Sequence, residues 1–386
     1  MASTIIELVK TAAKNGASDI LWIPGTSPQM KIHGALFPIP NTGLDGLNNE
    51  EQQRQIMATV EQLLRASQSS LNFDQFTRDK LNRYGYGEIM WTIGEGAEML
   101  RLRTSVYSTL RQLAIVIRLL PQRIFLFEEI FAVPGYAELL KPLLLRQNGL
   151  ILVTGPTGTG KTTTIATCIE YMLRSRKGEH IITLEDPVEF LFPPRGGYQA
   201  MISQREYGEK EGEGDFHNFA EAIVAGMRQA PNVFMVGEIR DLKTAEAALR
   251  AAETGHLVVA TLHTRDAAET VLRYVNIFPE EIRSMVRTQF SVTILGILCQ
   301  KLVPRADGKG RVACFEVVKI TPAYTNMISE GHIKQLSGQA ERTGELILFD
   351  AYMVKLVNQG LVTEQTGATY ANSPSQFREL LQASRR

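Results

Sequence analysis

Three cysteines in 386 residues, Cys168, Cys299 and Cys314, are too few and too scattered to staple a fold, and no two of them have the C-x-x-C spacing that grips a structural zinc. They read as buried thiols of a reducing compartment. Equally missing is any apolar run near the roughly 18 residues that a membrane-spanning helix needs. The N-terminus also lacks the basic start, apolar middle and small-residue cleavage site of a secretory signal. The expectation is a cytoplasmic protein whose membrane association, if any, is peripheral and made through partners. Neither sign of charge is in excess, since 41 Lys and Arg balance 41 Asp and Glu. A nonspecific nucleic-acid binder displaces counterions with a basic surplus, so direct nucleic-acid binding is not expected. No repeat of solenoid length is visible, and a composition of 44% hydrophobic and 21% charged residues excludes wholesale disorder.

What is present reads as two folded parts, because 386 residues exceed one ordinary domain and fall short of three. Residues 3–15 carry Ile5, Ile6, Val9 and Ala12 or Ala13 at helical spacing, and Gly16 stops them. Segments 20–23, 29–33 and 34–39, broken by Pro24-Gly25 and Pro40, read as strands; 50–66 reads as an amphipathic helix, and 89–93, 99–107 and 113–119 as further strands. Helices and antiparallel strands mixed in this way predict a small α+β domain over 1–120. Pro121 and the acidic, aromatic residues 125–131 mark a linker, placed at 121–130. Over 131–386 the pattern changes to continuous apolar runs, at 150–153, 181–184, 233–236 and 257–260, each followed by a helical stretch. Strands covered on both faces read this way, which predicts a doubly wound parallel α/β domain. The tail from 321 onward is expected to be helical, most clearly at 347–358.

The sharpest motif is Gly155-Pro156-Thr157-Gly158-Thr159-Gly160-Lys161-Thr162, a full match to G-x-x-x-x-G-K-[ST], set between an expected strand ending at Val153 and an expected helix from Lys161 toward Leu173. Glycines let the backbone wrap a triphosphate so that amide N–H groups and the positive helix end meet negative charge. Lys161 is expected to reach the β- and γ-phosphates of ATP and Thr162 to ligate Mg²⁺, with Thr163 completing the nucleotide-binding run. Val233 to Val236 then presents Gly237-Glu238 at a strand end, so Glu238 would hold the Mg²⁺ shell or the attacking water. Glu185-Asp186 offers a second carboxylate pair on the same sheet edge, and one of these acids must polarise water if hydrolysis occurs. His256 and His263 flank one buried strand, either as structural imidazoles or, for His263 at the C-terminal end, as a γ-phosphate sensor. Arg101, Arg103, Arg111 and Arg118 run through the last strands of the first part, either as surface residues or as guanidinium forks for a transferring phosphoryl group.

Together these residues resemble the secretion ATPase superfamily that powers type II and type IV secretion and type IV pili, over nearly the whole chain. Gly16-Ala17-Ser18-Asp19-Ile20 is similar to its opening signature, Glu185-Asp186-Pro187-Val188-Glu189-Phe190 to its acidic Asp box, Val236-Gly237-Glu238-Ile239-Arg240-Asp241 to its Walker B, and the run from Thr254 to Thr264 to its His box. The resemblance implies a PAS-like α+β domain followed by a RecA-like P-loop NTPase domain. It implies a homo-hexamer that hydrolyses ATP to ADP and phosphate and couples this to mechanical work. Glu238 becomes the Walker B acid, Glu185 the Asp-box acid near metal and water, and His256 and His263 a pair linking the γ-phosphate to subunit contacts. Arg103, Arg111 and Arg118 become arginines delivered to a nucleotide, joined by Arg228 and Arg240 as intersubunit or nucleotide contacts.

Within the superfamily, the extension and type II secretion ATPases carry a four-cysteine zinc insertion, which three scattered cysteines cannot supply. Overall length, Ser203-Gln204-Arg205-Glu206, residues 278–303 and Leu348-Phe349-Asp350 are most similar to the PilT group of pilus-retraction ATPases. Ala230-Pro231-Asn232 departs from the acidic D-P-D that the PilT pattern has before the Walker B strand, and Gln300-Lys301-Leu302-Val303-Pro304 is similar to the DotB and TraJ ATPases of type IVB secretion and conjugation. The implied partner is an inner-membrane pilus platform or secretion-core protein, met at the inner face of the cytoplasmic membrane. One further departure is the acidic loop holding Glu206, Glu209, Glu211, Glu213 and Asp215, which reads as a solvated, extended loop or as a docking surface for a basic partner.

Overall fold

The computed structural model describes residues 2–40, 42, 48–67, 72–94, 99–121, 123–192, 197–209, 214–333 and 346–385. The fold is mixed α/β, with two sheets in two compact units, Met1–Arg123 and Ile124–Arg386.

In the first unit the strands are β1 Asp19–Trp22, β2 Gln29–Ile32, β3 Ala35–Pro38, β4 Tyr86–Ile93, β5 Leu100–Thr109 and β6 Gln112–Leu119, in the order β3-β2-β1-β6-β5-β4. Every neighbouring pair is antiparallel. The period-2 alternation of β5 sends Leu102, Thr104 and Val106 inward, where they and Ile115, Ile117, Ile20 and Trp22 share one core with Ile5 and Val9 of the helix Ala2–Lys14 and with Ile56, Val60 and Leu63 of the helix Asn49–Ala66. That second helix starts where Asn48 and Glu51 close a reciprocal capping box. On the opposite sheet face Arg103 stands directly across from Arg118, with Arg118 in turn across from Asp19.

The second unit is built on β7 Gly149–Thr154, β8 His180–Glu185, β9 Met201–Glu206, β10 Val233–Val236, β11 Leu257–Leu262, β12 Ile294–Pro304, β13 Arg311–Lys319 and β14 Leu346–Ile347, in the order β14-β13-β12-β7-β11-β10-β8-β9. From β12 to β9 the pairs are parallel; β13 and β14 continue the sheet antiparallel. Along β7 alternate residues serve two cores: Ile151 and Val153 pack with Ile165, Ile169 and Met172 of the helix Lys161–Ser175, while Leu150 and Leu152 pack on the other face with residues of the helices Leu242–Glu253 and Arg283–Thr293. All four expected apolar strands are present in this parallel core. The sheet is nevertheless mixed, because β12 and β13 form a long antiparallel pair that the apolar pattern did not separate from its surroundings.

Two local expectations change. Within residues 125–131, expected to mark a linker, Phe127 and Phe131 are each 3% exposed and belong to the core of the second unit, where Phe131 stacks on Phe315 at 4.2 Å. Aromatic side chains bury too much apolar area to remain in water when a core lies within reach. The acidic loop also differs where it is described. Glu206 N–H donates to Asp215 Oδ2 at 2.8 Å and Asp215 N–H to the Glu206 carbonyl at 2.7 Å, which closes its two ends on each other instead of extending them; Glu211 and Glu213 lie outside the described residues.

Candidate active site

The parallel register brings the C-terminal ends of five strands to one edge. Leu262 pairs with Thr154, Thr154 with Cys299, and Val236 lies level with Leu184, so the loops after β7, β8, β10 and β11 and the late residues of β12 converge. Gly155 leaves β7 at φ +150°, and a Cβ there would stand 2.5 Å from the Gln300 carbonyl oxygen and 2.7 Å from Thr159 Oγ1. Only glycine permits that approach. Gly160, at φ +86°, is the N-cap of the helix Lys161–Ser175, which has no side-chain cap and no acid in its first turn. Its N–H groups and positive end are thus presented into the loop without a protein anion to neutralise them, which suits a phosphate.

Lys161 Nζ donates to the carbonyls of Gly155 at 2.7 Å and Pro156 at 3.1 Å and meets His263 Nδ1 at 3.3 Å. Because an ammonium has donors only, Nδ1 is the acceptor. The imidazole proton then sits on Nε2, which donates to Glu238 Oε1 at 3.1 Å. Arg240 Nε holds the other oxygen of Glu238 at 2.7 Å, and its Nη1 reaches Asp186 Oδ2 at 3.5 Å. Lys161, His263, Glu238, Arg240 and Asp186 therefore form one polar chain across the ends of β7, β11, β10 and β8. Burial lowers the Lys161 pKa from its ordinary value, opposed by the charge of Glu238.

Glu185 is the buried acid of the site. It ends β8 at 6% exposure, accepts from Thr183 Oγ1 at 2.7 Å and from Gln204 Nε2 at 3.2 Å, and burial pushes its carboxyl up to about 7 despite those two bonds. The like charges of Glu189 and Glu206 add to the rise. Gln204 is itself fixed, since its amide also donates to the Phe190 carbonyl at 2.7 Å and accepts from Phe192 N–H at 3.0 Å.

The donor set fits ATP with Mg²⁺. Among the described residues no group of three or more His, Cys, Asp and Glu could hold a metal by itself. Mg²⁺ does not require one, because it is usually bound by one or two protein oxygens together with substrate phosphates and water. Thr162 at the first turn of the loop helix and the carboxylates Glu185 and Glu238 are oxygen donors of that kind.

Other expected residues stand elsewhere. His256 precedes β11, roughly 20 Å from His263 at the rise of a six-residue strand. Its Nδ1 lies 3.0 Å from the Ala251 carbonyl and its ring 5.6 Å from that of Phe234, so within this chain it supports the helix-to-strand turn. Arg228 lies beside Gln229, whose carbonyl meets His180 at the start of β8, the end away from Glu185. Arg103, Arg111 and Arg118 are in the first unit. There Arg118 Nε pairs with Asp19 Oδ1 at 3.0 Å, Arg103 Nε lies 4.0 Å from Glu88 Oε1, and Arg111 forms the tip of the hairpin between β5 and β6 at φ +64°. Three contributors escaped the sequence reading: Thr183, Gln204 and Gln300, whose Nε2 donates to the Thr159 carbonyl at 2.6 Å.

Residues 47–385 match the family described as Type II/IV secretion system protein. The type IV pilus retractation ATPase PilT of Pseudomonas aeruginosa is 33% identical over 375 residues, spanning 97% of this chain and 99% of that protein. Among solved structures, the pilus retraction motor PilT with bound ADP superposes with a TM-score of 0.78 at 34% identity, covering 97% of this chain and 99% of that one. The ATPase DotB of Legionella pneumophila gives 0.79 at 25% identity, covering 95% and 94%.

Proposed function

We propose, from the premise that the chain belongs to the type II/IV secretion system protein family, that it is a motor which hydrolyses ATP to ADP and phosphate to drive pilus retraction. The observation that carries the reading is the polar chain from Lys161 through His263 to Glu238, set beside a buried Glu185 that titrates near neutrality. A carboxylate poised at about 7 is matched to taking a proton from water at working pH. Thr183 and Gln204 aim it. Gly155, Pro156, Thr157, Gly158, Thr159 and Gly160 supply loop N–H groups, apart from Pro156, and Lys161, Thr162 and Thr163 continue the cradle into the helix. Lys161 exchanges its carbonyl acceptors for phosphate oxygens. His263 and Arg240 hold Glu238 so that a change at Lys161 is felt at Arg240 on the sheet edge. Mg²⁺, held by Thr162 with Glu238 or Glu185, would neutralise charge on the transferring phosphoryl group.

The first unit reads as PAS-like and the second as RecA-like. We assign Arg103, Arg111 and Arg118 to nucleotide contacts made within a homo-hexamer, and His256 and Arg228, at the opposite end of the sheet, to subunit contacts. The motor would work in the cytoplasm against an inner-membrane platform protein. Among the described residues no helix is long and apolar enough to cross a membrane. A role in type IVB secretion is the second reading, favoured by the full-length likeness to DotB. The test is steady-state hydrolysis with Mg²⁺-ATP, paired with sedimentation. Lys161→Ala and Glu185→Gln are expected to lose at least about a hundredfold in kcat. A chain that stays monomeric with nucleotide yet turns over at full rate would sink the motor reading.

A further inference from the structure

Gln300 touches both ends of the phosphate loop. Its backbone carbonyl closes against Gly155 from below, where an added Cβ would stand 2.5 Å away, and its side-chain Nε2 donates to the Thr159 carbonyl at 2.6 Å. A Cβ on Gly160 would lie 3.3 Å from the same Nε2. The placement follows from register, since β12 runs parallel to β7 with Cys299 level with Thr154, the last residue before the loop. The side chain is 2% exposed, and its Oε1 is buried with no hydrogen-bond partner. Turning the amide over would set two acceptor oxygens at the 2.6 Å contact, so the orientation is fixed by Thr159. Burying an amide with one orphaned oxygen opposes folding, and an apolar side chain of similar volume would avoid that penalty. The donor end must therefore do something that an apolar side chain cannot.

A trans peptide points its C=O and the following N–H in opposite directions. Drawing the Thr159 carbonyl outward, onto Gln300, turns the Gly160 N–H the other way, toward the interior of the loop. We infer that Gln300 is a positioning residue for nucleotide binding: its amide locks the Thr159–Gly160 peptide so that the Gly160 N–H is preorganised to donate to a phosphate oxygen, while its carbonyl seats the first glycine of the loop. The inference rests on the nucleotide-binding reading given above. It assigns to β12, a strand outside the phosphate-binding motif, control over the loop's affinity. Arg311 on the adjoining β13 approaches the Gly158 carbonyl at 3.4 Å, a second outward pull on the same loop.

The measurement is calorimetric binding of ADP with Mg²⁺, together with KM and kcat for ATP, on the full chain and on Gln300→Met and Gln300→Glu. Met keeps the volume and removes the donors; Glu keeps the shape and sets a second acceptor against the Thr159 carbonyl. Gln300→Met is expected to weaken ADP about tenfold and raise KM by a like factor, with kcat within about twofold and the unliganded chain at least as resistant to unfolding, since a hydrogen bond that only orients a ground-state donor is lost from binding. Gln300→Glu is expected to lose more. Either variant, folded and binding ADP within twofold of the unaltered chain, overturns the inference. Hydrogen exchange on the unaltered chain can still overturn the inference even if both variants misfold: the Gly160 amide is expected to become protected when Mg²⁺-ADP is added, and no added protection would refute it. Failure of the unaltered chain to bind ADP at all would instead refute the nucleotide reading.

Discussion

Glu185 combines two demands that conflict in water. It must be ionised to accept a proton, yet its position at the end of β8 removes it from solvent, and its carboxyl rises from 4.5 to about 7. The rate should then fall as pH drops through about 7, tenfold per pH unit below it, because the protonated acid cannot take a proton from water. A pH profile of kcat checks this, and a flat profile between pH 6 and 8 would remove Glu185 from the role. Gln204 lowers that pKa by donating to the carboxylate. Gln204→Leu should consequently move the midpoint of the profile upward, which the same titration reads. In the sequence, Gly155 to Thr162, Glu185 and Glu238 were legible because the motif fixes its own chemistry. Gln204 and Gln300 were not, because what each one holds lies 19 and 141 residues away.

At the scale of elements, the hairpin joining β5 to β6 is unusual. Both turn residues, Leu110 at φ +48° and Arg111 at φ +64°, adopt the left-handed conformation that two-residue hairpins normally assign to Asn and Gly. Leu110 is 95% exposed and gains nothing from burial. Leu110→Gly should stabilise the chain by about 1 kcal/mol, measured as a raised urea midpoint with unchanged slope. A contrasting case is the helix Leu242–Glu253, whose N-cap Asp241 accepts from the Thr244 N–H and from the Thr244 hydroxyl, each at 2.9 Å. Asp241→Ala should cost about 1 kcal/mol in the same assay. Elements with one clear period were readable from sequence, as the helix Asn49–Ala66 and the four apolar strands illustrate. The pair β12 and β13 was not, since strand partners are chosen by tertiary packing and not by local pattern. Phe127 and Phe131 misled for the same reason: nothing local distinguishes an aromatic in a linker from one fastened to a distant core.

At the scale of the molecule, the buried carboxyls of Glu185 and Glu316 oppose folding when ionised. Glu316, 7% exposed on β13, is pushed up to about 7 by burial, with the charges of Asp266 and Asp350 adding and the backbone N–H groups of Ala267 and Phe349 opposing. A carboxyl whose folded pKa stands above its unfolded value of 4.5 stabilises the fold fully below that value, and the contribution is lost as pH rises through about 7. Melting temperature should therefore be lower at pH 8 than at pH 6. Glu316→Gln, which cannot ionise, should narrow the gap; scanning calorimetry at the two values tests it, and an unchanged gap would assign the effect to other groups.

The antiparallel extension of the sheet has a mechanical consequence. β13 is joined to β12 over nine consecutive paired positions, from Gly296 with Lys319 to Pro304 with Arg311, and β12 lies beside the strand that bears the phosphate loop. Hydrogen bonds of an antiparallel pair run perpendicular to the strands. A pull along β13 therefore loads all of those bonds together in shear, whereas a pull across it would peel them one after another. Tension drawn from the C-terminal helices along that axis would reach the loop through the stiffest direction the sheet possesses.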